Sequence, residues 1–156
     1  MKTPKGLREY LVKLLDSEEA HAGFDAAVAG VPAEARGRVP KGLPYSAWQL
    51  LEHIRLAQRD ILDYCRNKDY VGMNWPDDYW PQLPAPPSAA AWAASVKGYR
   101  ADRTAFVRLI ANPKIDLFDS VPSNKKHTFL REVLLAADHL AYHLGQLMYV
   151  RRLVSE

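Results

Sequence analysis

The stretch DHLAYHLGQL, residues 138–147, places His139 and His143 four residues apart. On an α-helix that spacing puts two side chains on one face a turn apart, so two imidazole nitrogens can address one cation. Helical zinc sites use this arrangement, and a reactive site takes three protein ligands and leaves a position for water or substrate. A third ligand must therefore come from elsewhere. Of the other histidines, His127 lies about 18 Å along the helix axis from His139 at 1.5 Å per residue, too far to share an ion. His53 lies two turns inside another helical segment, in LLEHIRL among Leu50, Ile54 and Leu56, and a bundle can bring it opposite the pair. The competing reading makes each histidine an ordinary core or rim residue hydrogen-bonded to a neighbour. Three neutral imidazoles buried together, however, leave ring nitrogens without partners, at a cost on the order of 1–3 kcal/mol each. A cation removes that cost. Three imidazoles suit zinc, nickel, copper or iron alike, so they do not select the metal.

Other residues are candidates for supporting roles. Gln146, three positions after His143, is a candidate catalytic residue that would orient water beside an open coordination position; alternatively its amide serves a neighbouring helix. Glu132 and Asp138 can hold the second nitrogen of a ligand imidazole, as outer carboxylates commonly do, although exposed helix charge is the expected reading for both. His21 is a candidate for the mouth of the site. Cys65 reads as a small buried hydrophobe, because no histidine or cationic partner stands close to it in sequence. Trp75, Tyr79 and Trp80 either wall a substrate pocket or, as the expected reading, pack on the protein or form a dimer face. No general base accompanies the histidines, unlike HExxH, where a glutamate follows the first histidine.

The elements that must position these residues are helical, separated by proline-containing connections. A first helix is expected from about Pro4 to Ala29, with Thr3 as N-cap and Pro4 in its first turn. GVPAEARGRVPKGLP, with three glycines and three prolines, is a connection. A second helix starts at Ser46, where Ser46 and Gln49 have capping-box spacing and Tyr45 supplies the flanking apolar contact; it continues to about Arg66. A third begins near Ser88 and ends before Pro113, with Asn112 at the boundary because a residue preceding proline is pushed out of helical geometry. The fourth begins near Thr128 and runs almost to the C-terminus, and its broad apolar surface includes Val133, Leu134, Leu140, Leu144 and Leu147. No segment shows strand alternation. The architecture that buries four such helices is an all-α four-helix bundle.

Between the second and third helices lies KDYVGMNWPDDYWPQLPAPP, with five prolines and four aromatics. Twenty extended residues cover roughly 65 Å, whereas the second helix is about 30 Å long. The loop can therefore return along the whole bundle and start the third helix parallel to the second, in an up-down-down-up arrangement. It can equally fold over one end and line a pocket.

Composition narrows the class. At 156 residues and 48% hydrophobic, residues 1–156 are expected to form a single domain. One cysteine excludes an internal disulfide, and no stretch reads as a signal peptide or an apolar membrane span, so a cytoplasmic location with no membrane partner is expected. The net charge of +3 comes from scattered Lys and Arg with only short clusters such as Arg36, Arg38 and Lys41; a nucleic-acid binder usually concentrates its basic residues on one face, and none is expected here.

Two segments, GLPYSAWQLLEHIRLAQRDIL and REVLLAADHLAYHLGQLMYVRRL, together with the WPDDYWP loop, resemble the DinB/YfiT superfamily of metal-dependent enzymes, and the resemblance covers nearly the whole chain. It implies an up-down-down-up four-helix bundle in which one histidine of the second helix and an HxxxH pair of the fourth form a three-histidine site. Carried over position by position, His53, His139 and His143 become the ligands of a divalent ion such as zinc, nickel or iron. Relatives of that superfamily include thiol-dependent transferases and isomerases and amidohydrolase-like members. The resemblance thus implies a thiol S-transferase or hydrolase acting on a small-molecule substrate, with a low-molecular-weight thiol as a candidate cofactor and a homodimer as a candidate assembly. The alternative is a non-catalytic, metal-stabilised bundle or a ligand-sensing module.

Overall fold

Three helix starts are set by short side-chain caps. The computed structural model describes residues 2–16 and 20–155. At Ser46 the hydroxyl accepts from the Gln49 N–H and the Gln49 side chain accepts from the Ser46 N–H, a complete capping box. The helix it opens, α3, is Ala47–Arg66. Ser88 accepts from the Ala91 N–H to start α4, Ala89–Ala111, which stops at Asn112 with extended backbone before Pro113. Thr128 accepts from the Arg131 N–H and opens α5, Phe129–Val154. All three boundaries agree with the sequence reading.

The amino-terminal segment differs from expectation. In place of one helix from Pro4 to Ala29, α1 covers Lys5–Asp16 and α2 covers Phe24–Ala29. Gly23 is extended immediately before α2, which places His21 in the connection rather than on a helix; residues 17–19 of the expected helix lie outside the described residues. The Thr3 hydroxyl, expected to cap α1, instead donates to Asp116 at 2.6 Å and accepts from the Leu117 N–H at 2.7 Å. It ties the start of the chain to the α4–α5 connection. A small antiparallel hairpin, β1 (Ser120–Val121) and β2 (Asn124–Thr128), also stands where no strand was expected. A two-residue strand is too short to show alternation, and its irregular register hides it further.

Side-chain bonds establish the helix directions. Glu52 and Gln58 of α3 meet Ser95 and the Tyr99 carbonyl of α4, advancing together along both helices, so α3 and α4 are parallel. His53 meets His143 while Tyr64, farther along α3, meets His127 just ahead of α5, so α3 and α5 are antiparallel. Arg8 of α1 donates to the carbonyls of Ile110 and Ile115, and Phe24 of α2 stacks on Tyr99 at 3.7 Å, so the amino-terminal helices run opposite to α4. The result is up-down-down-up. The crossover loop takes the return path its length permitted. It returns to the start of α3, where the Ser46 hydroxyl donates to the Pro84 carbonyl and the Gln49 amide donates to that of Pro81, and on the way it passes over His53.

Two buried clusters make the core. One joins Phe24, Leu50, Leu51, Ile54, Tyr99, Leu140, Leu144 and Leu147, and the other joins Leu11, Leu15, Leu62, Cys65, Phe106, Ile110, Val133 and Ala137. His139 falls between Ala137 of one and Leu140 of the other. Leu134, counted above with the apolar surface of the last helix, is exposed. Among the described residues no helix is long and apolar enough to cross a membrane.

The Phe24–Tyr99 stack fastens the six-residue α2 to the bundle together with buried Ala27 and Val28 and the bonds from Arg100 to Asp25 and from Arg151 to the Ala26 carbonyl. Phe24→Ala is expected to lower the unfolding free energy by about 3–5 kcal/mol through lost burial and a cavity. Denaturant titration reads this as a lower midpoint at an unchanged slope; an unchanged midpoint would contradict the packing role assigned to α2.

Candidate metal centre

The structure brings His53, His139 and His143 together. Nε2 of His53 lies 3.0 Å from Nε2 of both His139 and His143, and one nitrogen from each of the three rings falls within 4.8 Å of the others. α3 supplies the first histidine and α5 the other two, on successive turns. The ring of His53 is packed from the side: Trp80 of the crossover loop stacks on it at 3.8 Å and 6°, and Tyr45 stacks on Trp80 at 3.9 Å. Tyr45 thus backs the loop tryptophan as well as flanking the helix cap.

The outer nitrogens of two rings each face a carbonyl oxygen, one of the main chain and one of a side-chain amide, and an oxygen of that kind accepts. Nδ1 of His53 donates to the Tyr79 carbonyl at 3.1 Å, and Nδ1 of His143 donates to Oε1 of Gln146 at 2.7 Å. In the neutral ring one nitrogen carries the proton and the other a lone pair. Both rings therefore turn a lone pair on Nε2 toward the same point, and neither can donate to the other. Two nitrogens bound at 2.0–2.1 Å in tetrahedral geometry stand about 3.3 Å apart, close to the 3.0 Å between His53 and each of the other two rings. The donor set fits a divalent ion, whose charge would relieve lone pairs otherwise facing one another.

The rings are also held neutral. Burial pushes His53 down to about 4, partly opposed by the Tyr79 bond and aided by the charge His143 would carry. Burial and then the neighbouring His143 and His53 push His139 down to about 3. Burial lowers His143 as well, against the bond to Gln146. Near neutral pH all three are unprotonated, the state in which imidazole ligates a metal.

The remaining candidates separate. Gln146 reaches the cluster through His143, holding its outer nitrogen. Asp138 is exposed, as expected. Glu132 is not: it is buried, paired with Arg131 at 2.5 Å and 3.6 Å from Nδ1 of His127, so it belongs to the far end of α3, where Tyr64 holds His127. His21 is exposed, its ring bonded to the Ala22 carbonyl, and it lines a surface groove with Tyr10, Leu14 and Ala141. Of the loop aromatics, Trp80 covers His53, while Trp75 is 70% exposed with its ring 6.3 Å from that of His53. Tyr142, which sequence reasoning did not single out, stands edge-on to His143 at 4.8 Å and is 65% exposed. The Tyr79 carbonyl was also missed, since a main-chain acceptor leaves no trace in residue type. Glu52, beside His53 in sequence, is turned away into a bidentate pair with Arg55 and a bond from Ser95.

Cys65 is the buried hydrophobe expected, 1% exposed, and burial together with the Glu132 charge pushes its thiol up to about 12. It stays protonated at pH 8, whereas an unfolded cysteine near 8.5 is partly thiolate. A disulfide reagent such as Ellman's should label the native protein more than about a hundredfold more slowly than the denatured chain at pH 8. Rapid native labelling would contradict this environment.

A family model of the DinB superfamily matches residues 17–147, a span that holds all three histidines, Gln146 and the crossover loop. No curated protein and no solved structure matches the chain. The match extends over most of the chain and embraces the helices and loop that build the histidine cluster, and on it the chain belongs to the DinB superfamily.

Proposed function

We propose that this protein holds one divalent metal ion on His53, His139 and His143 and is an enzyme that activates a thiol or water for transfer or hydrolysis of a small-molecule substrate. The observation that carries the reading is the pair of outer-nitrogen bonds, to Tyr79 and Gln146, that turn two buried imidazole lone pairs toward one point. An ion held by three neutral ligands keeps its full charge, and as a Lewis acid it lowers the pKa of a thiol or water brought to it. The residues around it do the rest. Trp80 and Tyr45 exclude water from one face of His53. The His139 residue is half-buried, whereas His53 and His143 are buried. The exposed rings of Trp75 and Tyr142 offer apolar surface to a substrate next to the histidines. Gln146 acts as a positioning residue on His143. Among the described residues no carboxylate joins the cluster, so the proton of the attacking thiol or water passes to solvent or to the leaving group.

A purely structural ion is the second reading, favoured by the placement of one ligand on α3 and two on α5, which would cross-link the helices. Both readings require the ion. Elemental analysis of protein purified without a histidine tag should find about one divalent ion per chain; His139→Ala should lose most of it and His127→Ala should keep it. Full occupancy in His139→Ala would sink the assignment. Stripping the ion should lower Tm by roughly 10 °C, since ligand at a thousandfold excess over Kd contributes about 4 kcal/mol.

Catalysis is separated from structure by turnover. Metal-loaded protein screened with low-molecular-weight thiols and electrophilic or amide substrates should show activity that vanishes in the His53→Ala/His139→Ala/His143→Ala variant. A metal-loaded protein inert across both panels would favour the structural ion.

A further inference from the structure

Asp60 lies seven residues after His53 on α3, two turns along and within about 20° of the same face. Its two carboxylate oxygens each accept from a different tyrosine of the crossover loop: Oδ1 from the Tyr70 hydroxyl and Oδ2 from the Tyr79 hydroxyl, both at 2.7 Å. Two points of the loop nine residues apart are thereby pinned to one side chain. Between them the chain closes on itself: the Asn74 N–H donates to Asp78 at 2.8 Å, and a single 3-10 turn, Asp77–Tyr79, is bonded from the Tyr79 N–H to the Pro76 carbonyl. Tyr79 thus has its ring fastened to Asp60, its N–H fastened within the turn, and its carbonyl on Nδ1 of His53.

We propose that Asp60 and the Tyr79 hydroxyl are positioning residues for the three-histidine centre, acting as a clamp that holds the Tyr79 carbonyl on His53 and thereby sets that ring's tautomer and aim. The clamp works through geometry alone, since the phenol touches Asp60 and only the main chain of the same residue touches the histidine. Burial and then Asp60 push the Tyr79 phenol up to about 12 and the Tyr70 phenol higher still, so both remain donors across the physiological range. Without the clamp, the Tyr79 carbonyl is held by the loop's own turn, by Trp80 and by the bond from Gln49 to the Pro81 carbonyl, none of which fixes Tyr79 from its ring, and His53 is free to exchange its Nδ1–H for an Nε2–H, which cannot ligate inward. The assignment as it bears on metal rests on the proposed three-histidine reading, while its claim about the tautomer does not.

Tyr79→Phe tests it by removing one oxygen and keeping the ring; Asp60→Asn serves if that variant does not fold, and Tyr10→Phe, an exposed tyrosine on α1, is the control. Nitrogen-15 NMR of the metal-free protein should show the His53 ring protonated on Nδ1 in the wild type and as a mixture of tautomers in Tyr79→Phe. Zinc affinity, measured by competition with a chromophoric chelator, should fall about 10- to 100-fold in Tyr79→Phe, the usual cost of losing an outer partner of a ligand histidine, and stay unchanged in Tyr10→Phe. An unchanged tautomer overturns the clamp, as does a shifted tautomer with zinc affinity within about twofold of the wild type. A wild type that takes up none of zinc, nickel, copper or iron defeats the metal reading instead, and the clamp is then decided by the tautomer alone.

Discussion

Everything at the centre of this protein depends on lone pairs held face to face. Two imidazoles with their protons tied up on the outside, and a third ring against them, bury nitrogen acceptors at 3.0 Å from one another with no donor between His53 and His143. A core of leucines at the same positions would avoid the penalty. The surrounding apolar packing has to hold the rings there, and it does so from both ends: Leu50, Leu51, Ile54, Leu140 and Leu144 on one side, Leu62, Val133 and Ala137 on the other. A buried polar group left without a partner costs about 1–3 kcal/mol, so the helices pay to present these nitrogens. A cation held among them would satisfy the inward nitrogens at once.

The crossover loop follows from the same constraint by way of topology. With the last helix antiparallel to α3, a parallel α4 demands a connection that travels the length of the bundle. Such a loop would be a liability if it were only a tether. Here its return path lays Trp80 flat on His53 and the Tyr79 carbonyl on its outer nitrogen, so the connection that solves the chain-tracing problem also closes one side of the site. The five prolines of that stretch restrict the unfolded loop and reduce the entropy lost in fixing it.

What was legible in the sequence was local. Ser46 with Gln49, Ser88, Thr128 and the Asn112–Pro113 step each carry their boundary within three or four residues, and each proves to be a helix end. The HxxxH pair is local too. His53 meets that pair only through packing between helices, and its apolar neighbours in LLEHIRL are the sole local sign of it. The failures were tertiary or too short to have a period. Thr3 has the form of a cap but spends its hydroxyl on Asp116 and Leu117. Glu132 has the form of an exposed first-turn acid but is buried against Arg131. The aromatic loop announced itself by composition, yet nothing in WPDDYWP distinguishes Trp80, against the histidine, from Trp75, largely in solvent. That choice is made by where the loop is pinned.

Under the proposed function, the character of the donor set bears on the choice between chemistry and cross-linking. A structural zinc site is usually closed by four protein ligands, commonly thiolates that neutralise the ion. Here, among the described residues, three neutral rings converge and no carboxylate or thiolate joins them; the one cysteine is buried elsewhere with its thiol pushed up to about 12. A divalent ion held by these three rings would keep its charge, and the protein keeps the rings neutral by burial rather than by pairing them with anions. On the proposed function, each of those features would raise the acidity such an ion confers on a thiol or water. For a cross-link they would be a disadvantage, since an under-ligated, uncompensated ion binds less tightly than a closed one.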